Sequence, residues 1–228
     1  LKWKEKLSDV DFINIPDLLS CDTRSWDGAN IAKAYFDDVV PHLRAMDFDF
    51  TKDLPIKDKL REYNIKEVLV IEGDPPQSML YQVYPTISTD IIKKFSEEMP
   101  EITVYAGIDQ YRSSMKEEEY RIRRKQLAGA KGFFTQPFFD MRYLEMYADL
   151  LDGLDIYWGV SPVLSERSVS YWRNKNNVIF PKDFEPTLEW NIEFARKVIE
   201  FARKHNHNVY LMPIKAKIMP YLEGVFAK

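Results

Sequence analysis

Residues 123–140 read RRKQLAGAKGFFTQPFFD, and this stretch decides the fold class. Arg123, Arg124 and Lys125 close a charged helical run. Gly129 stands where a helix C-cap needs a residue free to adopt φ > 0. Gly132–Gln136 then reads as a short buried strand, and Pro137 is not expected to continue a central ladder. A helix, a glycine stop and a strand ending in a polar residue form the unit that an α/β barrel repeats, with its chemistry at the strand's C-terminal end. Gln136 lies among Phe133, Phe134, Phe138 and Phe139. It is expected to be a buried amide that must find partners in backbone or ligand, and its paired donor and acceptor suit a heteroaromatic edge.

Working outward, the same alternation covers the chain. Strands are expected at 10–15, 39–46, 67–71, 102–108, 132–136, 156–160 and 209–212. Helices are expected at 25–37, with Ile31, Ala34 and Tyr35 on one face, and at 56–63 and 89–99, the latter capped by Ser88 or Thr89. Further helices follow at 116–128, 142–150, 165–174, 188–205 and 218–226. The strands recur every 25–35 residues or so, roughly one βαβ unit each, which implies a parallel sheet covered by helices. A doubly wound open sheet would place a glycine-rich phosphate turn after the first strand, and Pro16–Ser20 contains no glycine. The expected architecture is therefore an α/β fold of the (β/α)8 TIM type, a single domain over residues 1–228, with its first strand missing from this chain. Leu1–Leu7 (LKWKEKL) looks like the interior of an amphipathic helix and carries no initiator Met, so an upstream segment is expected.

Composition narrows the function classes. Of 228 residues, 45% are apolar and 30% charged, as in an ordinary soluble globular protein. The net charge of −4 argues against a general nucleic-acid or membrane-surface binder. The single cysteine, Cys21, excludes an intramolecular disulfide and any multi-cysteine metal site. That cysteine usage leads to the expectation of a reducing, cytoplasmic setting, and no apolar run reaches membrane-spanning length and nothing resembles a signal peptide. Three histidines apart from carboxylates do not make ligand spacing; His205 and His207 read as surface or capping residues near a helix end. No P-loop and no nucleophile elbow occur.

The expected strand ends deliver Asp17, then His42 and Arg44, Glu72 and Asp74, Asp109 and Gln110, Gln136, Ser161 and Lys215. Gly73 would allow a ligand close to the backbone, and Pro75 and Pro76 would hold Asp74 in place. A lone Asp in such a loop is more often a turn or N-cap carboxylate. The basic run Arg121–Lys125 alternates with Glu117–Glu119 and reads equally as a solvated helix face with intrahelical ion pairs.

Five landmarks in order resemble the methylenetetrahydrofolate reductase family. They are Pro41-His42-Leu43 with Asp47; Gly73-Asp74-Pro75-Pro76; Arg124-Lys125 ahead of Ala128-Gly129-Ala130; Thr135-Gln136-Pro137-Phe138-Phe139-Asp140; and Gly159 with Pro162-Val163. The resemblance spans nearly the whole chain. It implies an eight-stranded barrel that binds FAD at the strand C-termini and relays a hydride from NAD(P)H or another reduced donor to methylenetetrahydrofolate, in one-carbon metabolism and methionine biosynthesis. It also implies a homo-oligomer. By position, Asp74 resembles the family aspartate near flavin and folate, and Gln136 the glutamine that holds the pterin. His42, Gly73 and Tyr84 match cofactor-contacting positions, and Arg124 and Lys125 the basic pair near the FAD phosphates. Glu72, Tyr111 and Arg121 also fall at cofactor positions but depart from the family types, which are Arg, His and Asn. Glu166 stands near an aromatic clamp position. The resemblance places the family's proton-donating glutamate on the first barrel strand, the one expected to be missing here. The alternative expectation is a non-catalytic or flavin-free folate-binding barrel that partners another one-carbon enzyme.

Overall fold

The computed structural model describes residues 10–75, 81–214 and 216–227. Leu1–Leu7, Pro76 and the expected strand-end Lys215 lie outside the described residues. In chain order the elements are β1 (Phe12–Ile15), α1 (Ser25–Ala32), β2 (Asp38–Arg44), a short 3-10 turn (Ala45–Asp47), α2 (Lys57–Glu62), β3 (Glu67–Ile71), α3 (Ser88–Glu98) and β4 (Thr103–Ile108). There follow α4 (Met115–Ala128), β5 (Gly132–Pro137), α5 (Met141–Leu150), β6 (Ile156–Val160), α6 (Glu166–Lys175), α7 (Leu188–His205), β7 (Asn208–Leu211) and α8 (Ile218–Phe226). This is an α/β alternation with seven strands among the described residues. No described helix is long and apolar enough to cross a membrane.

The chain divides into two compact units, one of residues 1–107 with 123–131, the other of residues 108–122 with 132–228. In the first unit β1–β2, β2–β3 and β3–β4 pair in parallel. Val68, Leu69 and Val70 at the centre of β3 are all buried, as a strand covered on both faces requires. In the second unit β5–β6 and β6–β7 pair in parallel. Its core includes Tyr111, Phe139, Val163, Val169, Trp172 and Val178.

Three local expectations need correction. The first helix stops at Ala32 rather than Asp37, which leaves Ala34 and Tyr35 outside it, and Ile31 and Tyr35 are 66% and 56% exposed. Lys33 follows at once, and its Nζ donates to the carbonyls of Tyr63 and Asn64 just beyond α2, where cations are favoured. Ser88 is not the cap of α3 but its first residue. Its N–H and hydroxyl donate to the Glu72 carboxylate, while Asp90 accepts from the N–H of Ile87. Finally, β5 runs through Pro137. The missing proline N–H is bypassed, because Phe138 N–H donates to the carbonyl of Gly159 instead. Gly129 does take the expected left-handed geometry, at φ +121°.

Candidate functional site

In the first unit the C-terminal ends of β1, β2 and β3 carry a connected polar network. Asp17, 5% exposed, accepts from the N–H of Ser25 at the start of α1 and from Arg24 in two-point fashion, Nε at 3.0 Å and Nη2 at 2.5 Å. The same Nη2 reaches Asp47 at 2.7 Å, and the guanidinium lies 4.4 Å over the Trp26 ring. Asp47 in turn lies 3.4 Å from Nε of Arg44, without hydrogen-bond geometry. Arg44, buried at the end of β2, donates to the carbonyl of Asp74 at 2.7 Å. Two guanidinium groups and two carboxylates thus balance in charge, which a buried cluster requires.

Gly73 packs against this network. Its φ is +89°, and a Cβ there would meet Cβ and Nε of Arg44 at 3.1 Å. The close approach expected toward a ligand is, in the structure, toward Arg44. Asp74 beyond it is exposed, its backbone pinned while its carboxylate faces solvent. Glu72 is half-buried and committed to Ser88, so it serves as the cap of α3. Tyr84 is half-buried, and its N–H donates to the carbonyl of Met46 beside this loop.

His42 is 8% exposed, with Nε2 3.0 Å from Asn14 Oδ1. Burial disfavours the imidazolium and lowers the ring's pKa to about 4, against a weaker upward pull from Asp17. The ring is therefore neutral near pH 7. The Nδ2 of Asn14 is buried and has no partner among the described residues. Lys125 is 7% exposed and its Nζ donates to the carbonyl of Gly107 at 2.6 Å near the end of β4. A helical side chain leans toward its own N-terminus, which lets this residue in the last turn of α4 reach there. Arg124 is exposed.

The second unit holds the rest. Gln136 is exposed, not buried as expected. The register of β5 against β6 shifts between Phe134 and Pro137, so Thr135 and Gln136 form a bulge. The buried amide is Gln110, 1% exposed, whose Nε2 donates to the carbonyl of Gln136 at 2.7 Å and whose Oε1 accepts its N–H at 3.1 Å. Tyr111 is 9% exposed; its hydroxyl donates to the carbonyl of Pro137 at 2.8 Å, and burial pushes its phenol pKa up. Arg121 forms an i,i+4 ion pair with Glu117 at 2.7 Å. Ser161 is buried and donates to the carbonyl of Met212.

His207 also departs from expectation. It is half-buried and its Nδ1 accepts from the indole N–H of the fully buried Trp158 at 3.1 Å. With His205, Asp149 and Asp152 it lines a cavity of about 290 Å³, so two of the three histidines do stand near carboxylates. A neutral imidazole that accepts at Nδ1 carries its proton on Nε2 and offers no lone pair there. Among the described residues no group of three or more His, Cys, Asp or Glu side chains is placed to hold a metal ion.

Of the residues that now matter, Arg44 and Gln110 were legible only as polar strand ends. Nothing in the chain order marks Arg44 as the partner of Asp74, or Gln110 as that of Gln136.

No protein-family model matches the chain. Over 147 residues it is 22% identical to the 5,10-methylenetetrahydrofolate reductase of Buchnera aphidicola subsp. Schizaphis graminum, covering 62% of this chain and 50% of that protein. The match thus spans about half the length of that relative. Among solved structures, an oxaloacetate acetylhydrolase is similar at TM-score 0.55 and 9% identity, over 93% of this chain and 79% of that one. An aldo-keto reductase from Bacillus halodurans is similar at TM-score 0.52 and 10% identity, over 99% and 80%. Both are named for enzymatic activities, and at these identities the likeness is one of fold.

Proposed function

We propose that this chain carries the catalytic fold of a flavin-dependent reductase that interconverts 5,10-methylenetetrahydrofolate and 5-methyltetrahydrofolate, with NAD(P)H or another reduced donor. In this reading β1–β7 are seven strands of an eight-stranded α/β barrel in a cytoplasmic homo-oligomer. The observation that carries it is Asp74. Its carboxylate is exposed at the end of β3 while its backbone is held by the buried Arg44. The 22% identical reductase and the shared order of landmarks support the same reading.

The residues present fit FAD in part. The Nδ2 of Asn14 beside the neutral His42 is a buried donor with no acceptor among the described residues, and a flavin carbonyl would supply one. The exposed Arg124 offers charge for a phosphate. Lys125 would have to give up its bond to Gly107, and Glu72 is held by Ser88. FAD, when bound, supplies the acceptance and delivery of hydride. The chain's own contribution is to orient: Asp74 offers a fixed acceptor to the folate ring, and Gln136 offers both a donor and an acceptor to the pterin edge.

The second reading is a folate-binding barrel without flavin, favoured by Glu72 where the family carries a cation and by the engagement of Lys125. An absorbance scan after incubation with FAD and desalting separates the two. Retained flavin that NAD(P)H or dithionite reduces and methylenetetrahydrofolate then reoxidises is the expected result. Protein that stays colourless and shows no folate-dependent turnover overturns the reductase reading.

A further inference from the structure

We propose that Gln110 is a positioning residue. Its buried side-chain amide clamps the main chain at the β5 bulge and so sets where Gln136 presents its own amide to a folate-class ligand. The inference rests on the folate reading above for the identity of the ligand, and on geometry alone for the clamp.

A bulge leaves an extra residue outside the regular ladder and frees its backbone to wander. Here the extra step falls at Thr135-Gln136, between the pairs Phe134–Tyr157 and Pro137–Gly159. Each loose group is met by a side chain. Thr135 Oγ1 accepts the N–H of Gly159 at 2.8 Å. The amide of Gln110 binds both backbone groups of Gln136 at 2.7 and 3.1 Å, as the edge of another peptide would, and Nε2 also lies 3.4 Å from the carbonyl of Pro137.

The clamp is itself held. Tyr143 and Tyr147 of α5 donate to the main-chain carbonyl of Gln110 at 2.6 and 3.4 Å, and Tyr111 Oη donates to the carbonyl of Pro137 at 2.8 Å. The Gln136 side chain, by contrast, is exposed and makes no hydrogen bond among the described residues. The placement of its Cα is what the fold can control. Asn at 110 would be one methylene short. Glu would keep the acceptor for the N–H of Gln136 but lose the donor for its carbonyl.

The test compares wild type with Gln110→Ala, Gln110→Glu, Gln136→Ala and the double variant Gln110→Ala/Gln136→Ala, all in the presence of FAD. Amide hydrogen exchange is read at Gln136, and 5-methyltetrahydrofolate binding is read by fluorescence titration. Gln110→Ala is expected to speed exchange at Gln136 and weaken folate binding by about tenfold or more. Gln110→Glu, which keeps the acceptor but sets a buried oxygen against the carbonyls of Gln136 and Pro137, is expected to speed exchange as well, and the circular dichroism of each variant is the control for folding. The double variant is expected to bind no more weakly than Gln136→Ala, because both changes remove one function. Unchanged exchange at Gln136, or losses that simply add in the double variant, would overturn the inference. Failure of the folate reading looks different: wild type and Gln136→Ala bind folate equally or not at all, while exchange at Gln136 still rises in Gln110→Ala. That result removes the ligand-directed role and leaves only a backbone clamp.

Discussion

The guanidinium of Arg44 donates to the main-chain carbonyl of Asp74 at 2.7 Å, so the loop after β3 is held by a side chain from the end of β2. Arg44 is only 5% exposed and sits in a chain of charges that runs back through Asp47 and Arg24 to Asp17. Gly73 lies against it with φ +89°. Alanine at 73 would impose a left-handed backbone on a Cβ that also presses on Arg44. Gly73→Ala is expected to lose about 1–3 kcal/mol of stability in urea unfolding. Its folate turnover should fall further than its stability, since the displaced loop carries Asp74. A variant as stable and active as wild type would refute this.

His42 makes stability depend on pH. Its pKa is lowered by burial from 6.5 to about 4, so as pH falls the unfolded chain takes up the proton first. The contribution is complete above about pH 6.5 and is lost progressively toward pH 4. A shift of this size corresponds to on the order of 3 kcal/mol. Urea midpoints measured across that window should drop for wild type more than for His42→Gln. Parallel curves would show that His42 is not the source.

The bond from Trp158 to His207 has an optical signature. Burial is the main force that lowers the His207 pKa, with the nearby His205 adding to it. Protonation at Nδ1 would set two donors against each other and orphan the buried indole N–H. The stability tied to this bond is present above the ordinary histidine range and fades as pH falls below it. Emission from Trp158, taken as the difference between wild type and Trp158→Phe, is expected to change with a midpoint below 6.5 and to lose that transition in His207→Asn. A pH-independent difference would count against the bond.

Gly159 lies so close to the β5 bulge that an added Cβ would meet the carbonyl oxygen of Thr135 at 2.6 Å and that of Gln136 at 2.9 Å. These are backbone atoms and cannot swing aside. Gly159→Ala is expected to cost about 1–3 kcal/mol by overpacking. It should also speed amide exchange at Gln136, whereas Gly153→Ala, which strains a left-handed backbone at φ +78° with nothing within 4 Å of the added Cβ, should lower stability without a local rise in exchange at Gln136. Equal exchange at Gln136 in the two variants would contradict the close packing.

Much of the fold was legible because hydrophobic periodicity is local. β3, β6, α7 and α8 have the expected bounds, since Glu67–Ile71 and Leu188–His205 carry unambiguous patterns with breakers at their ends. The site was legible only in outline. Polar residues at strand ends could be named, but their partners lie 20 to 30 positions away in the chain, as Arg44 to Asp74 and Gln110 to Gln136 do. An apolar neighbourhood in sequence also misplaced Gln136. Alternation in a strand reverses wherever a bulge inserts a residue, and Thr135-Gln136 is such a place.

The amino-acid order by itself determined the alternation of strands and helices, the glycine stop after α4 and the polar character of the strand ends. Each follows from neighbours within a few residues. Only the tertiary structure decided which amide is buried and which is offered to solvent in Arg123–Asp140 and its surroundings. That choice depends on Gln110 and its tyrosines reaching a bulge that Gly159 has room to approach. It likewise decided that Lys125 turns inward to Gly107 and that Gly73 makes space for Arg44. Burial and hydrogen-bond pairing are properties of surroundings assembled from distant segments, and no local pattern encodes them.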